Sequence, residues 1–214
     1  MHRATQHASH STRQRRLRVA HEAARLMADS GLHDYQQAKR KAAERLGIHD
    51  DASLPRNSEI EQALREHQRL FAGPAHTAGL RQRRESAVAA MEFLQAFAPR
   101  LVGPVLEGTA DARSPVQLHL HSDDADAVQR HLDDNGIPAQ AHTRRLRMDR
   151  SHSLDVPLWT FRADALAFEL LVLPYDALRQ PPLSNVDDKP QRRATQAQLR
   201  QLLDEPDAPA LLAT

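Results

Sequence analysis

The chain lacks cysteine and has few aromatic side chains. Among its 214 residues no cysteine occurs, and phenylalanine, tryptophan and tyrosine together make up 4%. The absence of thiols excludes disulfide bridges, thiolate catalysis and cysteine-ligated zinc or iron–sulfur centres, and it favours a cytoplasmic location. The shortage of aromatic rings favours helix-on-helix and helix-on-sheet packing over an aromatic-rich β-sandwich.

Long hydrophobic runs and an excess of charge of one sign are also missing. No apolar run approaches the roughly 18 residues that a membrane-spanning helix needs, and the basic N-terminus lacks the apolar segment of a signal peptide. We therefore expect no membrane partner. The 29 basic residues nearly balance the 28 acidic ones, which argues against a generally cationic coat for nucleic acid but leaves room for local basic patches. The bias towards Arg, Ala, Asp and Leu is typical of a GC-rich bacterial coding sequence.

Several well-known catalytic motifs do not occur. The sequence contains no Gly-x-x-x-x-Gly-Lys-Ser/Thr loop and no Gly-x-Gly-x-x-Gly turn, so a P-loop ATPase or a Rossmann enzyme would lack its phosphate cradle. It also contains no Gly-x-Ser-x-Gly elbow and no His-Glu-x-x-His pair. The common hydrolase and metalloprotease mechanisms are therefore not indicated.

Hydrophobic periodicity divides the chain into four parts. Residues 1–14 are polar and have no apolar period, which predicts a disordered tail. Residues 15–75 repeat apolar side chains at three- and four-residue spacing, which predicts a helical module. Residues 76–175 begin with a long helix that Pro99 closes and continue with strand patterns, which predicts an α/β domain. Residues 176–214 are predicted to form an extended, proline-rich strap with a short helix.

The apolar period changes from helical to alternating after Pro99. Strands are predicted at 101–106, 116–121, 137–141, 144–148, 158–162 and 167–173. A helix is predicted after Ser122-Asp123-Asp124, and Asn135-Gly136 ends it. The predicted fold class is therefore α+β, with a helical N-terminal module followed by a small mixed β-sheet domain.

The stretch from Gly108 to His121 combines a small turn, a short polar loop and a strand. Gly108-Thr109 form the turn, and alternate residues from Pro115 onwards share one face of the strand. This outline resembles the nucleotidyltransferase superfamily, in its minimal, polymerase-beta-like form. In that family a Gly-Ser turn precedes a strand reading Ser-Asp-x-Asp. The two aspartates, with a third carboxylate on a later strand, hold the metal ions that carry the nucleoside triphosphate.

The resemblance covers residues 80–175, but the two metal-binding aspartates of the family are missing. Glu169 stands in the place of the third carboxylate, but Pro115 and Gln117 stand where the two aspartates are expected. Proline offers no metal ligand and a glutamine amide has no charge, whereas two-metal transfer needs charged oxygen ligands. We therefore predict a nucleotidyltransferase-like protein without catalytic residues, which binds a nucleotide or another phosphorylated ligand in a regulatory or scaffolding role.

The resemblance and the neighbouring basic residues supply the predicted ligand-binding set. It consists of Gly108, Thr109, Ser114, Gln117, His119, Glu169, Arg145 and Arg147. The two arginines belong to a basic group at 144–150, whose guanidinium groups suit phosphates or Glu169. Glu169 is a lone charge on an apolar strand, so we expect it to face a pocket or a cationic partner.

An active, metal-dependent enzyme remains an alternative prediction. A divergent transferase would use Asp111, Glu169 and His119 around a magnesium ion. The position of Asp111 in a loop, however, favours its interpretation as a solvated turn residue. His119 and His121 share one strand face and, with Glu169, would make a zinc-ligand set. A partly exposed polar face explains the same pair, because the chain has 13 histidines.

A nucleic-acid-binding adaptor is the other alternative. Basic residues cluster at 13–18, 39–41 and 81–84, each on or beside a predicted helix. If the three clusters met on one surface, they would follow the phosphates of RNA or DNA. The opposing interpretation is that arginine and lysine alternate with acidic residues on solvated helix faces. The sequence does not indicate a protein partner.

Overall fold

The computed structural model describes residues 2–32, 34–71 and 73–205. The chain divides into two compact units. One contains the first three helices together with Asn185–Asp187, and the other contains Gly73–Ser184 and the chain from Asp188. Helices come first and a mixed sheet follows, so the protein is of the α+β class. Among the described helices, none combines the length and apolar character needed to cross a bilayer.

Three helices form the first unit. They are α1 (His2–Ser30), α2 (Tyr35–Arg45) and α3 (Asn57–Phe71). Asp34 caps α2, since its carboxylate accepts hydrogen bonds from the first backbone N–H groups of that helix. The core is rich in alanine on α1 and α2, with larger side chains on α3 such as Ile60 and Leu64. Small side chains at the contacts allow the helix axes to approach closely.

Helix α1 starts much earlier than the sequence indicates. The sequence predicts disorder for the polar segment 1–14, yet α1 begins at His2. From Arg15 onwards the helix is held by its own unit, because Arg15 pairs with Asp50 and Arg16 donates to the carbonyl of Ala52. Once a packed helix has formed, extending it costs little, and the Ala, Gln and Arg residues before it are good helix formers.

The second unit is built on a five-stranded sheet. Its strands are β1 (Arg100–Val102), β2 (Val116–His121), β3 (Gln140–Arg147), β4 (Ser153–Ala163) and β5 (Leu166–Leu173). Their order is β1-β2-β5-β4-β3. Strands β2 and β5 run parallel, whereas every other neighbouring pair is antiparallel. The sheet is therefore mixed, as the sequence predicts.

The two faces of this sheet differ in what covers them. Helices α4 (Pro74–Phe93), α5 (Gly103–Glu107), α6 (Ala125–Asp134) and α7 (Gln196–Asp204) pack with one face in the main core. Leu118 of β2 and Leu170 of β5 belong to that core. The opposite face has a smaller apolar cluster, in which Leu158 and Leu171 pack with Ala177 of the strap after β5.

Two strand predictions need correction. The strand predicted at 101–106 ends at Val102, because Gly103 has a positive φ of 71° and starts α5, with Pro104 in its first turn. The separate strands predicted at 137–141 and 144–148 are one strand, β3, and it pairs along its full length with β4. Backbone pairing with β4 thus overrides the local polar residues that suggested a break.

A buried arginine fixes the loop that precedes β2. Arg83 of α4 is 8% exposed and donates to the carbonyl oxygens of Gly79, Ala112 and Ser114 at 3.0, 2.7 and 3.3 Å. These bonds use the planar fork of the guanidinium group, which presents several donors at once. The loop 108–115 is therefore attached to α4 through its backbone.

We predict that Arg83→Lys destabilises the sheet unit by about 2 kcal/mol, because a single ammonium group cannot serve three separated carbonyls. Urea unfolding followed by the fluorescence of Trp159, the single tryptophan, measures this unit. Arg81→Lys is the matched control, since Arg81 lies on the same helix with 54% of its side chain exposed. Its effect should stay below about 0.5 kcal/mol. Equal losses in both variants would contradict the role given to Arg83.

Candidate functional site

The predicted site residues of β2 and β5 lie on the sheet face opposite the helices. Gln117 of β2 stands directly beside Glu169 of β5. His119 and His121 follow on the same side of β2, because side chains alternate along a strand. The neighbouring residues Leu118 and Leu170 point the other way, into the helix-covered core. The sheet register therefore brings together Gln117, His119 and Glu169, as the sequence predicts.

Glu169 is held by two side chains, and we call this group the Glu169 cluster. Gln117 Nε2 donates to Glu169 Oε2 at 2.9 Å, and Arg144 Nη1 of β3 donates to the same oxygen at 2.8 Å. The Glu169 side chain is 20% exposed and that of Arg144 is 36% exposed. A carboxylate so far removed from water needs such partners. The lone acid on an apolar strand thus has the cationic partner that the sequence predicts.

Arg145 and Arg147 do not join this cluster. Successive residues of β3 face opposite sides of the sheet, so Arg144 lies on the face of Glu169 and both other arginines lie on the reverse face. Arg145 is 4.0 Å from Asp155, and Arg147 pairs with Asp188. The basic group was predicted from its composition, which could not tell which arginine would face Glu169.

The predicted loop residues Gly108, Thr109 and Ser114 lie in a segment whose hydrogen bonds are mostly internal. Gly108, with φ 80°, ends α5, and the backbone N–H of Thr109 donates to the carbonyl of Pro104. Asp111 Oδ1 accepts from the backbone N–H and the hydroxyl of Ser114, both at 2.8 Å. The Ser114 hydroxyl oxygen in turn accepts from the backbone N–H of Asp111. Asp111 is thus a hydrogen-bonded turn residue, as its loop position predicts, and not a displaced metal ligand.

The glycine that lies against β2 is Gly103. It precedes Gly108, the glycine predicted for this role, by five residues. A Cβ placed on Gly103 would lie 2.1 Å from Gln117 Oε1, whereas one on Gly108 would meet nothing nearer than Arg84, at 3.6 Å. Pro115 precedes β2, which starts at Val116. The strand positions that follow the contacting turn and face Glu169 are therefore Gln117 and His119. Sequence reasoning missed Gly103, although Gly-Pro after an apolar strand was the available signal.

His119 and His121 are buried side chains. They are 2% and 0% exposed. Burial, and to a smaller extent the positive charges of His121, Arg193 and Arg144, lower the pKa of His119 to about 3. Burial likewise lowers the pKa of His121 to about 4, although its hydrogen bond to the carbonyl of Ala98 opposes this shift. Both imidazoles are consequently neutral at pH 7.

The alternative zinc-ligand set of His119, His121 and Glu169 is not assembled, and the partly exposed polar face expected for the two histidines is buried instead. Within the described residues no three His, Asp or Glu side chains are grouped as a metal site requires. His121 Nδ1 lies 2.9 Å from the Ala98 carbonyl oxygen and donates to it, and Glu169 is bound by Gln117 and Arg144. His121 Nε2 is buried and has no hydrogen-bond partner in the described part of the chain.

Three arginines surround these groups, and we call them the arginine face: Arg100, Arg144 and Arg193. Arg100 of β1 stands directly beside His119. Arg193 of the strap donates to the carbonyl oxygens of Ala177 and Leu178. Burial lowers the pKa of Arg193, and the charge of Arg100 lowers it further. Of the hydrogen bonds that these three side chains make to described residues, one reaches a carboxylate, that of Glu169.

Members of two of the three basic clusters of the helices have internal partners. Arg15 and Arg16 bind Asp50 and the Ala52 carbonyl, and Arg83 holds the loop before β2. The clusters on α1 and α2 belong to one unit, and the cluster on α4 belongs to the other. RNA or DNA binding by these helices stays a prediction.

We predict that Gly103→Ala disturbs the Glu169 cluster. The methyl group would displace the Gln117 amide, in addition to the cost of about 1 kcal/mol that any side chain meets at positive φ. Gly136→Ala is the matched control, because Gly136 has φ 67° and nothing within 4 Å of an added Cβ. Urea unfolding should show a larger loss of stability for Gly103→Ala. Equal losses would mean that Gln117 moves aside freely.

We also predict that acid weakens the sheet unit through His119. Its folded pKa, about 3, lies below the ordinary value of 6.5. The stabilisation from this group is therefore complete above pH 6.5 and is lost as the pH falls from 6.5 towards 3, because the unfolded chain binds the proton first. The loss is about 2 kcal/mol at pH 5.

Unfolding measured between pH 7 and pH 4 checks this prediction. His119→Gln should remove about half of the pH dependence, because His121, with a pKa of about 4, contributes the rest. His142→Gln should leave it unchanged, since His142 is exposed on β3. If His119→Gln keeps the full acid sensitivity, the burial of His119 does not control it. Thermal unfolding by Trp159 fluorescence gives the readout for the unit concerned.

Two comparisons of the sequence with known proteins gave no match. No family model matches the chain, and no curated protein matches it either. The likeness to nucleotidyltransferases is therefore a resemblance of the sequence pattern at 108–121 and at Glu169. The α+β fold is shown by the structure, and membership of that superfamily stays a prediction.

Proposed function

We propose that this protein is a nucleotidyltransferase-like protein without transfer activity, which binds a nucleotide or another phosphorylated ligand at the arginine face in a regulatory role. The observation that supports this best is the imbalance of charge there. Arg100, Arg144 and Arg193 share one side of the sheet unit, and their described hydrogen bonds include one to a carboxylate, Glu169. A phosphate group would supply the missing negative charge.

The side chains beside the Gly103 turn explain the absence of transfer chemistry in this proposal. In the family that the chain resembles, strand carboxylates hold the metal ions that neutralise the triphosphate. Here Gln117 and His119 stand on the strand face beside Glu169. A neutral amide and a neutral, buried imidazole are poor ligands for magnesium, which prefers carboxylate and phosphate oxygens. Glu169 alone, already bound by Arg144, does not make a two-metal site.

Arginine can take over part of the role of the missing metal. A guanidinium group binds phosphate through two parallel hydrogen bonds and keeps its charge at all physiological pH values. Arg144 has 36% of its side chain exposed, so a ligand can reach it without unfolding the strap. The proposal therefore requires that binding be independent of divalent cations.

Glu169 would then act as a counter-ion and not as a metal ligand. Its carboxylate orients Arg144 through the 2.8 Å hydrogen bond and partly neutralises it. Removing the negative charge should leave the arginine face more attractive to an anion. For a divergent magnesium-dependent transferase the expected effect is the opposite, since loss of the Glu169 carboxylate would remove a metal ligand and weaken binding.

Isothermal titration with ATP, GTP and pyrophosphate in EDTA, and again in magnesium, tests the proposal. We expect at least one of these probes to bind in EDTA. Arg144→Ala should weaken binding at least tenfold, which corresponds to about 1.4 kcal/mol. Arg145→Ala is the matched control and should bind normally, because Arg145 is the next residue on the same strand and faces the reverse side.

Glu169→Gln separates the proposal from the enzyme alternative. We expect it to retain or tighten the binding of the probe in EDTA. If binding requires magnesium and disappears in Glu169→Gln, the protein is a metal-dependent transferase and the proposal is wrong. Absence of binding by all three probes would also overturn it. Trp159 fluorescence verifies that each variant is folded.

A further inference from the structure

A groove of about 640 Å³ lies between α1 and α3 in the helical unit. Arg13 and Arg16 of α1 line one wall, and Glu59 and Glu66 of α3 line the other. The floor includes Ala20, which is 1% exposed, and Ala63, which is 5% exposed. The groove thus has a basic wall, an acidic wall and a floor of small apolar side chains.

The walls contain charges that the folded chain does not use. Within the described residues no hydrogen bond or ion pair joins Arg13 or Glu66 to another group, whereas neighbouring residues do form such contacts. Arg65, for example, pairs with Glu61 on the same helix. The two opposite charges of the groove are therefore available to a partner.

Apolar side chains extend along both rims. Leu17 of α1 lines the groove and is 47% exposed. Leu70, which is 60% exposed, lies four residues after Glu66 and hence on the same face of α3. Exposed large apolar residues that continue one groove are typical of a contact surface, whereas scattered ones are not.

We propose that this groove is the contact surface of a homodimer, in which a second copy of the chain seats its own α1–α3 face on the first. The basic wall of each copy meets the acidic wall of the other when the two-fold axis runs along the groove. Arg13 of one copy then lies opposite the Glu66 position of the other. The contact is isologous, since both copies use the same residues.

Charge favours a second copy over an unrelated partner. A uniformly acidic or basic partner would be repelled by one of the two walls, but a copy of the same surface matches both. Helices α1 and α3 of the two copies would form a four-helix layer, which would cover Leu17, now 47% exposed. This inference concerns the helical unit and does not depend on the ligand proposed for the sheet unit.

Sedimentation velocity from 5 to 200 μM protein tests the dimer, with charge reversals at the two walls as variants. We expect the wild type to dimerise, and Arg13→Glu or Glu66→Arg alone to raise the dissociation constant at least tenfold, because each places like charges together. The double variant R13E/E66R should restore dimerisation, since it exchanges the walls in both copies. Arg40→Glu, at an exposed position of α2 outside the groove, is the control and should dimerise normally.

Three results would overturn the proposal. The first is a wild type that stays monomeric up to 200 μM. The second is a dimer that neither single reversal weakens. The third is failure of the double variant to recover when circular dichroism shows that it is folded. Recovery by the double variant supports the proposed pairing, because a structural defect from either substitution alone would persist in the combination.

Discussion

The parallel pairing of β2 with β5 is the constraint on which the sheet unit depends. It sets Gln117 beside Glu169 and Leu118 beside Leu170. Because side chains alternate, this single register sends the leucines into the helix-covered core and the polar residues to the opposite face. A shift by one residue would exchange the two sets, burying a carboxylate under helices and exposing the leucines. The apolar side chains therefore hold the polar cluster in place.

The polar face is stabilised by pairing charges with carbonyls and with one another. Arg144 compensates Glu169, and Arg193 uses the carbonyls of Ala177 and Leu178. Charged groups that are partly withdrawn from water need such partners. This face has three guanidinium groups and one paired carboxylate. It therefore differs from an ordinary solvated surface, where charges of both signs are interspersed.

The sequence predicts the parts of this arrangement that are encoded locally. The strand at 116–121, the position of Glu169 on an apolar strand and the helix after Ser122-Asp123-Asp124 follow from alternation and capping. The choice of Arg144 within its basic group does not follow, because it depends on the register between β3 and β4. Lys189, Arg192 and Arg193 form a basic group in the strap that the sequence predicts to extend the arginines of β3. Which of the three reaches the sheet face depends on a contact across many residues, and composition does not decide it.

Both edges of the sheet are unsuited to the addition of another strand. At β1, Leu101 and Ala194 exchange two backbone hydrogen bonds of 2.9 Å, so the chain just before α7 covers that edge. At β3, the arginines on both faces of the strand give the exposed edge positive charge, which repels a second copy of the same edge. The residues before α7 thus protect the sheet against aggregation. A chain shortened ahead of Ala194 would expose unpaired backbone groups of β1.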